Sequence, residues 1–248
     1  MMTNPKPPAS HPQIFWCVGL YASGSTWLFN AGKKVARASG LEAGLTSFFA
    51  TNRTELVFSP GVVTAIVKTH EVDTAASEFL MAESQAIWLS VRDPRDCITS
   101  LMMYQRCSFE DALDLIDDAA RVCLPILHHP RITLFKYENK FFDNPEALDV
   151  IASSFGSRLN DADKVRIYSE TRRSYIEAFI KTFPHVSSIV AQPEPGHLVD
   201  LDTQWHTHHG GRDGEVGRWR RMLTASQISV VNKRLAESMV CFGYQPEG

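Results

Sequence analysis

Apolar residues along this chain fall into short continuous runs separated by stretches of helical period, a pattern that predicts alternating strands and helices. The first run, Ile14 to Leu20, lies between Pro12 and a Gly/Ser-rich turn and reads as a buried strand, although Trp16 departs from the usual aliphatic pattern. A helix is predicted from Ser25 or Thr26 to about Ala38, ended by Gly40. Val62 to Lys68 is the next strand, Ala75 to Glu83 a short helix, and Ala86 to Val91 a third strand. Pro94 suits the first turn of a helix capped by Asp93. Phe109 to Leu127 reads as a helix with an acidic front, Ser108 and Asp111 standing at capping-box spacing and Pro125 kinking its last turn. Arg131 to Tyr137 is a further strand, and Pro145 to Ser154, Asp163 to Phe183 and Ala225 to Val240 read as helices. Val186 to Trp205 has no clear period.

Strands alternating with helices predict the α/β class: three αβα layers around a central, mostly parallel sheet. A length of 248 residues allows one large core, and no interior stretch is biased enough to be a linker. The expected organisation is a disordered tail over residues 1–12 and a single domain over 13–248. The tail is polar and proline-rich, without the apolar segment of a signal peptide, and no run reaches the length of a membrane span.

Charge and cysteine usage narrow the class further. The formal net charge is -3 and basic residues cluster only locally, as in Arg218 to Arg221, which argues against a duplex nucleic-acid binder. Five cysteines, an odd number without metal-like spacing, suit a reducing compartment. The expectation is a cytoplasmic enzyme or binding protein, with no nucleic acid and no membrane span among its partners.

The turn after the first strand reads Gly19-Leu-Tyr-Ala-Ser-Gly-Ser-Thr-Trp-Leu28. Backbone N–H groups at such a strand-to-helix turn converge on a concavity, and the helix dipole adds to it. Ser23, Gly24, Ser25 and Thr26 would offer N–H groups and hydroxyls to a phosphate; the same residues also suit a plain N-cap turn. A Walker A lysine is absent, which argues against an ordinary nucleoside triphosphate. Arg92 follows the third strand, where open α/β sheets place ligands, and Ser100 lies about two helical turns further on. The plainer alternative is that Arg92 pairs with Asp93 or Asp96. His70 ends the segment Val67-Lys-Thr-His, and imidazole suits proton transfer near neutral pH, though a histidine at a strand end is commonly structural. Gly211 to Trp219 places glycines around Arg212 and Arg218, as in a loop wrapped over an anion or in a plain polar loop.

Together these segments resemble the sulfotransferases that use 3′-phosphoadenosine 5′-phosphosulfate (PAPS), with their P-loop-like fold. Tyr21 to Leu28 is similar to the family's P-K-S-G-T-T-W-L, with Ala22 in place of the lysine. Arg92 to Ser100 fills every fixed place of R-[DN]-x-x-D-x-x-x-S. Lys68-Thr-His70 matches K-T-H, and Tyr137 matches the tyrosine of F-x-Y-E-D, with Asn139 for its last aspartate. Arg212, Gly214, Gly217 and Trp219 match R-K-G-x-x-G-D-W, with Asp213 for the lysine and Arg218 for the aspartate.

The resemblance implies that Ser23, Gly24, Ser25 and Thr26 hold the 5′-phosphosulfate and Trp27 packs on the purine. Arg92, Ser100 and the Arg212-Asp213-Gly214 loop would hold the 3′-phosphate, with Tyr137 near the nucleotide. It implies His70 as general base and Lys68 beside the transferring group, taking part of the role lost at Ala22. The product would be adenosine 3′,5′-bisphosphate (PAP), the acceptor a small molecule or glycan with a hydroxyl or amine, and no metal is required. The alternative is a nucleotide-binding descendant with little or no activity, because Ala22 and Asp213 remove family charges. His206, His208 and His209 read as a polar loop near the acceptor mouth in preference to a metal site. Phe48, Phe49, Phe58, Met102, Met103 and Tyr104 would line an acceptor pocket or form core.

Overall fold

Six of the seven residues of strand β1 (Gln13–Gly19) are buried, because the strand lies at the centre of a sheet covered on both faces. Its side chains alternate: Ile14, Trp16 and Val18 enter one apolar cluster, Phe15 and Cys17 the other. The Trp16 indole N–H donates to the Thr69 hydroxyl at 2.9 Å, so the tryptophan that breaks the aliphatic pattern buries no unsatisfied donor.

The structure, a computed structural model, describes residues 11–183, 189–191, 197–207, 209 and 214–246. Strands β2 (Leu45–Phe49), β3 (Thr64–Thr69), β4 (Ser84–Val91) and β5 (Ile132–Lys136) join β1 in the order β2-β3-β1-β4-β5. Every pairing in this sheet is parallel. One face carries α1 (Ser25–Ala38), α5 (Glu146–Ser154), α6 (Asp161–Thr171) and α7 (Arg173–Ile180). The other carries α2 (Thr74–Glu83), α3 (Pro94–Tyr104), α4 (Phe109–Cys123), α8 (Trp219–Met222), α9 (Ala225–Arg234) and α10 (Ala236–Phe242). The result is the expected three-layer α/β fold with a parallel sheet. A short antiparallel pair, β6 (Ile189–Ala191) with β7 (Leu198–Asp200), lies in the stretch without sequence period.

Several boundaries differ from expectation for local reasons. Strand β2 was not anticipated: its five residues are all half-buried on a sheet edge, so neither alternation nor a buried run marks it. The helix expected over 163–183 is two helices, broken where Arg172 adopts an extended backbone. Pro125 opens a 3-10 turn after α4 ends at Cys123, since it has no N–H to continue the helix. The closing helix breaks at Leu235. Of the expected tail, residues 1–10 lie outside the described residues, while the His11 ring meets the Phe79 ring edge-on at 5.7 Å.

Parallel strands bring all five carboxyl ends to one edge, and the chain crosses from one side of β1 to the other between β3 and β4. A crevice at such a crossing is where α/β sheets hold ligands.

Candidate functional site

Each of the five strands delivers a residue to one cavity of about 580 Å³. Phe49 ends β2, Lys68 and His70 end β3, Tyr21 to Trp27 follow β1, Arg92 follows β4 and Tyr137 follows β5. The volume lies within the range of small-ligand sites.

The loop after β1 is shaped by Gly24, whose φ of 92 makes it a left-handed N-cap for α1. Ala22 is also left-handed, at φ 58. The first N–H groups of α1 have no intrahelical acceptor and stand at the cavity, with Gly24, Ser25, Thr26 and Trp27 among its walls. Ser23 is brought to the loop but does not line the cavity. Its hydroxyl donates to the Leu20 carbonyl at 2.6 Å and meets the Ser90 hydroxyl at 2.7 Å, so it holds the loop together from inside. Trp27 donates to the Thr171 carbonyl at 3.0 Å and meets the Phe141 ring edge-on.

Lys68 and Arg92 are the two cations that matter most here. Lys68 is 4% exposed, and its ammonium donates to the Thr26 hydroxyl at 2.8 Å. Burial pushes this ammonium down to about 8. Arg92 is also 4% exposed; it donates to the Ser100 hydroxyl and the Ala22 carbonyl at 3.2 Å each, and to the Glu215 carbonyl at 2.8 Å. Its guanidinium lies 4.2 Å over the Tyr137 ring, and its Nε has no partner. The alternative pairing of Arg92 with Asp93 or Asp96 is not what forms. Asp93 bridges Arg95 at 2.8 Å, and Asp96 accepts from the Gly217 and Trp219 N–H groups, tying the 214–219 segment onto α3. Neither Lys68 nor Arg92 has a carboxylate partner among the described residues.

His70 Nδ1 lies 2.8 Å from the Gly19 carbonyl. A carbonyl only accepts, so Nδ1 carries the proton and Nε2 is left as a base. Burial, and then the Lys68 charge, push the imidazole down to about 3, against the Gly19 bond.

Gly214 joins the cavity beside the Tyr137 hydroxyl, whereas Arg212 and Asp213 lie outside the described residues, as does His208. Of the six apolar candidates only Phe49 and Tyr104 line the cavity. Phe48, Phe58 and Met102 pack on the core, and Met103 is exposed. Lys33 and Lys34 are engaged elsewhere, with Asp202 and Glu170. His197, His206 and His209 line the cavity beside Trp205. No group of three metal-binding side chains converges among the described residues. Lys140, Phe142, Thr171, Arg173 and Ile176 also line the cavity without having stood out in the sequence. They come from the turn after β5 and the break between α6 and α7, where no motif marks them.

Solved structures share this architecture, three of them as follows. Mouse sulfotransferase SULT7A1 complexed with PAP is 20% identical, matching 92% of this chain and 84% of its own with a TM-score of 0.61. Retinol dehydratase in a complex with retinol and PAP is 14% identical over 92% and 82% of the two chains, with a TM-score of 0.61. Retinol dehydratase with androsterone and inactive cofactor PAP is 14% identical over 92% and 80%, with a TM-score of 0.60. The chain has a sulfotransferase-like fold. No protein-family model matches it, and no curated protein matches it in sequence. No helix among the described residues is long and apolar enough to cross a membrane.

Proposed function

We propose that this chain is a sulfotransferase that moves the sulfuryl group of PAPS to a hydroxyl or amine of a small-molecule or glycan acceptor. The observation that carries this reading is the pair of buried cations, Lys68 and Arg92, in one cavity and without carboxylate partners among the described residues. Burying an unpaired charge costs several kcal/mol, roughly, so such groups call for an anionic ligand. The unpartnered Arg92 Nε faces the same need. That solved structures of this fold are complexes with PAP supports the choice of anion.

In this reading Gly24 to Thr26 hold the 5′-phosphosulfate and Trp27 and Tyr137 flank the purine. Arg92 and Ser100 take the 3′-phosphate, together with Arg212, Asp213 and Gly214. Ser23 keeps the loop's shape instead of touching the phosphate with its hydroxyl. As the acceptor oxygen attacks sulfur, His70 Nε2 takes its proton, and the bond from sulfur to the 5′-phosphate oxygen breaks to release PAP. Lys68 faces the charge that develops on the sulfuryl and leaving oxygens. The proton then passes from His70 to solvent.

Calorimetry with PAP, AMP and ATP tests the nucleotide part: PAP should bind tightly and the other two weakly. Incubation with radiosulfate-labelled PAPS and acceptor mixtures tests transfer. Ala22 favours a second reading, in which the fold binds PAP but no longer transfers sulfate. Tight PAP binding with no labelled product from any acceptor pool would select it. We also place the protein in a reducing, cytoplasmic setting, since Cys17, Cys97 and Cys123 are unpaired and buried as small apolar side chains.

A further inference from the structure

Tyr21 occupies the place of the proline in the resembled loop motif, next to Ala22, and its contacts centre on one residue. Its ring stacks on the His70 imidazole with centroids 4.2 Å apart and planes 20° from parallel. Its hydroxyl donates to the carboxylate of Glu71, the residue that follows His70. Backbone, carboxylate, phenol and stacked ring therefore close a small circuit around the imidazole. Phe49 flanks the histidine at 6.2 Å and 51°.

A histidine that serves as base needs one tautomer and one ring plane. The Gly19 carbonyl sets the tautomer. One hydrogen bond along the ring edge still leaves the ring free to rock about it. A parallel aromatic face removes that freedom and covers the ring against water. Gly19 and Tyr21 belong to the same three-residue segment, which runs directly into the phosphate loop. The base is thus fixed relative to the loop that would hold the donor.

We propose that Tyr21, anchored by Glu71, is a positioning residue that holds His70 as a dry, neutral imidazole with Nε2 presented to the acceptor. This rests on the reading of His70 as general base. Among the described residues the ionisable groups around the imidazole are Lys68 on its own strand and the Tyr21 phenol, with Glu71 and Asp118 of α4 beyond that phenol; Phe49 from β2 and the Gly19 carbonyl from β1 add none. Removing the Tyr21 ring admits water and relieves the burial that opposes protonation.

The test is a histidine-labelled NMR titration of the full chain, with His70→Asn used only to assign the signal. In the parent the His70 signal should remain neutral down to the lowest pH at which the protein stays folded. Tyr21→Phe keeps the stacked ring but loses the bond to Glu71, and should move the midpoint up by less than half as much as Tyr21→Ala. Tyr21→Ala should bring the titration midpoint up by at least ~1 pH unit. If Tyr21→Ala does not fold, Tyr21→Val supplies the same truncation. A midpoint that stays at the parent position in the folded truncated variant overturns the proposal, as does a Tyr21→Phe variant that behaves like Tyr21→Ala. Calorimetry of PAP on the parent reports separately on the nucleotide reading, because it does not depend on how His70 titrates.

Discussion

The Lys68 ammonium reaches the Thr26 hydroxyl at 2.8 Å, joining the end of β3 to the first turn of α1. A buried cation thereby sits against the loop after β1 from the inside, in the region where Ala22 supplies no charge. Lys68→Met should separate stability from function. Removing an unpaired buried charge is expected to stabilise the fold by ~1–3 kcal/mol, while PAP affinity falls by about 10-fold or more. Paired urea melts and calorimetry check both signs. An unchanged PAP affinity would remove Lys68 from the site.

Arg92 links two segments of the cavity wall, bonding the Ala22 carbonyl on one side and the Glu215 carbonyl on the other. If Arg92 reads the 3′-phosphate as proposed, Arg92→Ala should abolish a preference for PAP over AMP. Arg92→Lys should recover little of it, a lysine lacking the two parallel donors. Ser100→Ala should cost less, about 1 kcal/mol of PAP binding. Competition between the two nucleotides measures all three.

Ala22 is exposed and already left-handed, so Ala22→Lys adds a charge with no new backbone conformation to impose. PAP binding should tighten by about 10-fold if the added ammonium reaches the phosphate, and labelled-sulfate transfer should rise with it. Equal affinity in both proteins would mean that Lys68 already fills the gap.

His70 contributes a pH dependence of defined sign. Its folded value of about 3 lies below the ordinary 6.5, so between those limits the unfolded chain binds a proton that the folded chain refuses. Stability from this group is complete above 6.5 and declines as the pH falls toward 3. His70→Asn should flatten that part of a stability–pH curve from denaturant melts. Bound PAP places negative charge near Lys68, which should raise the His70 midpoint in the same NMR titration.

The main strands and the site's polar core were legible because strand ends carry compact motifs: Gly19 to Trp27, Lys68 to His70, and Arg92 to Ser100 are each contiguous. Strand β2 was not, since a half-buried edge strand such as Leu45–Phe49 satisfies neither the alternating nor the continuous apolar pattern. Ser23 looked like a phosphate ligand because hydroxyls in a loop carry no sign of direction. Only the fold shows its oxygen turned toward Leu20 and Ser90. Arg173 and Lys140 escaped notice for another reason. Their approach to the cavity depends on how two helices break and how a turn bends, which is a property of packing rather than of spacing.

Five strands running the same way divide the molecule into a working pole and a silent one. The carboxyl end of every strand in this sheet, or the turn directly after it, carries part of the cavity, while the exposed Ser59–Gly61 and Glu42–Ala43 turns lead into the opposite ends of β3 and β2 and contribute nothing to it. A peptide tag, fluorophore or surface linker grafted at Ser59–Gly61 therefore gives a handle on the protein that leaves the mouth of the cavity open.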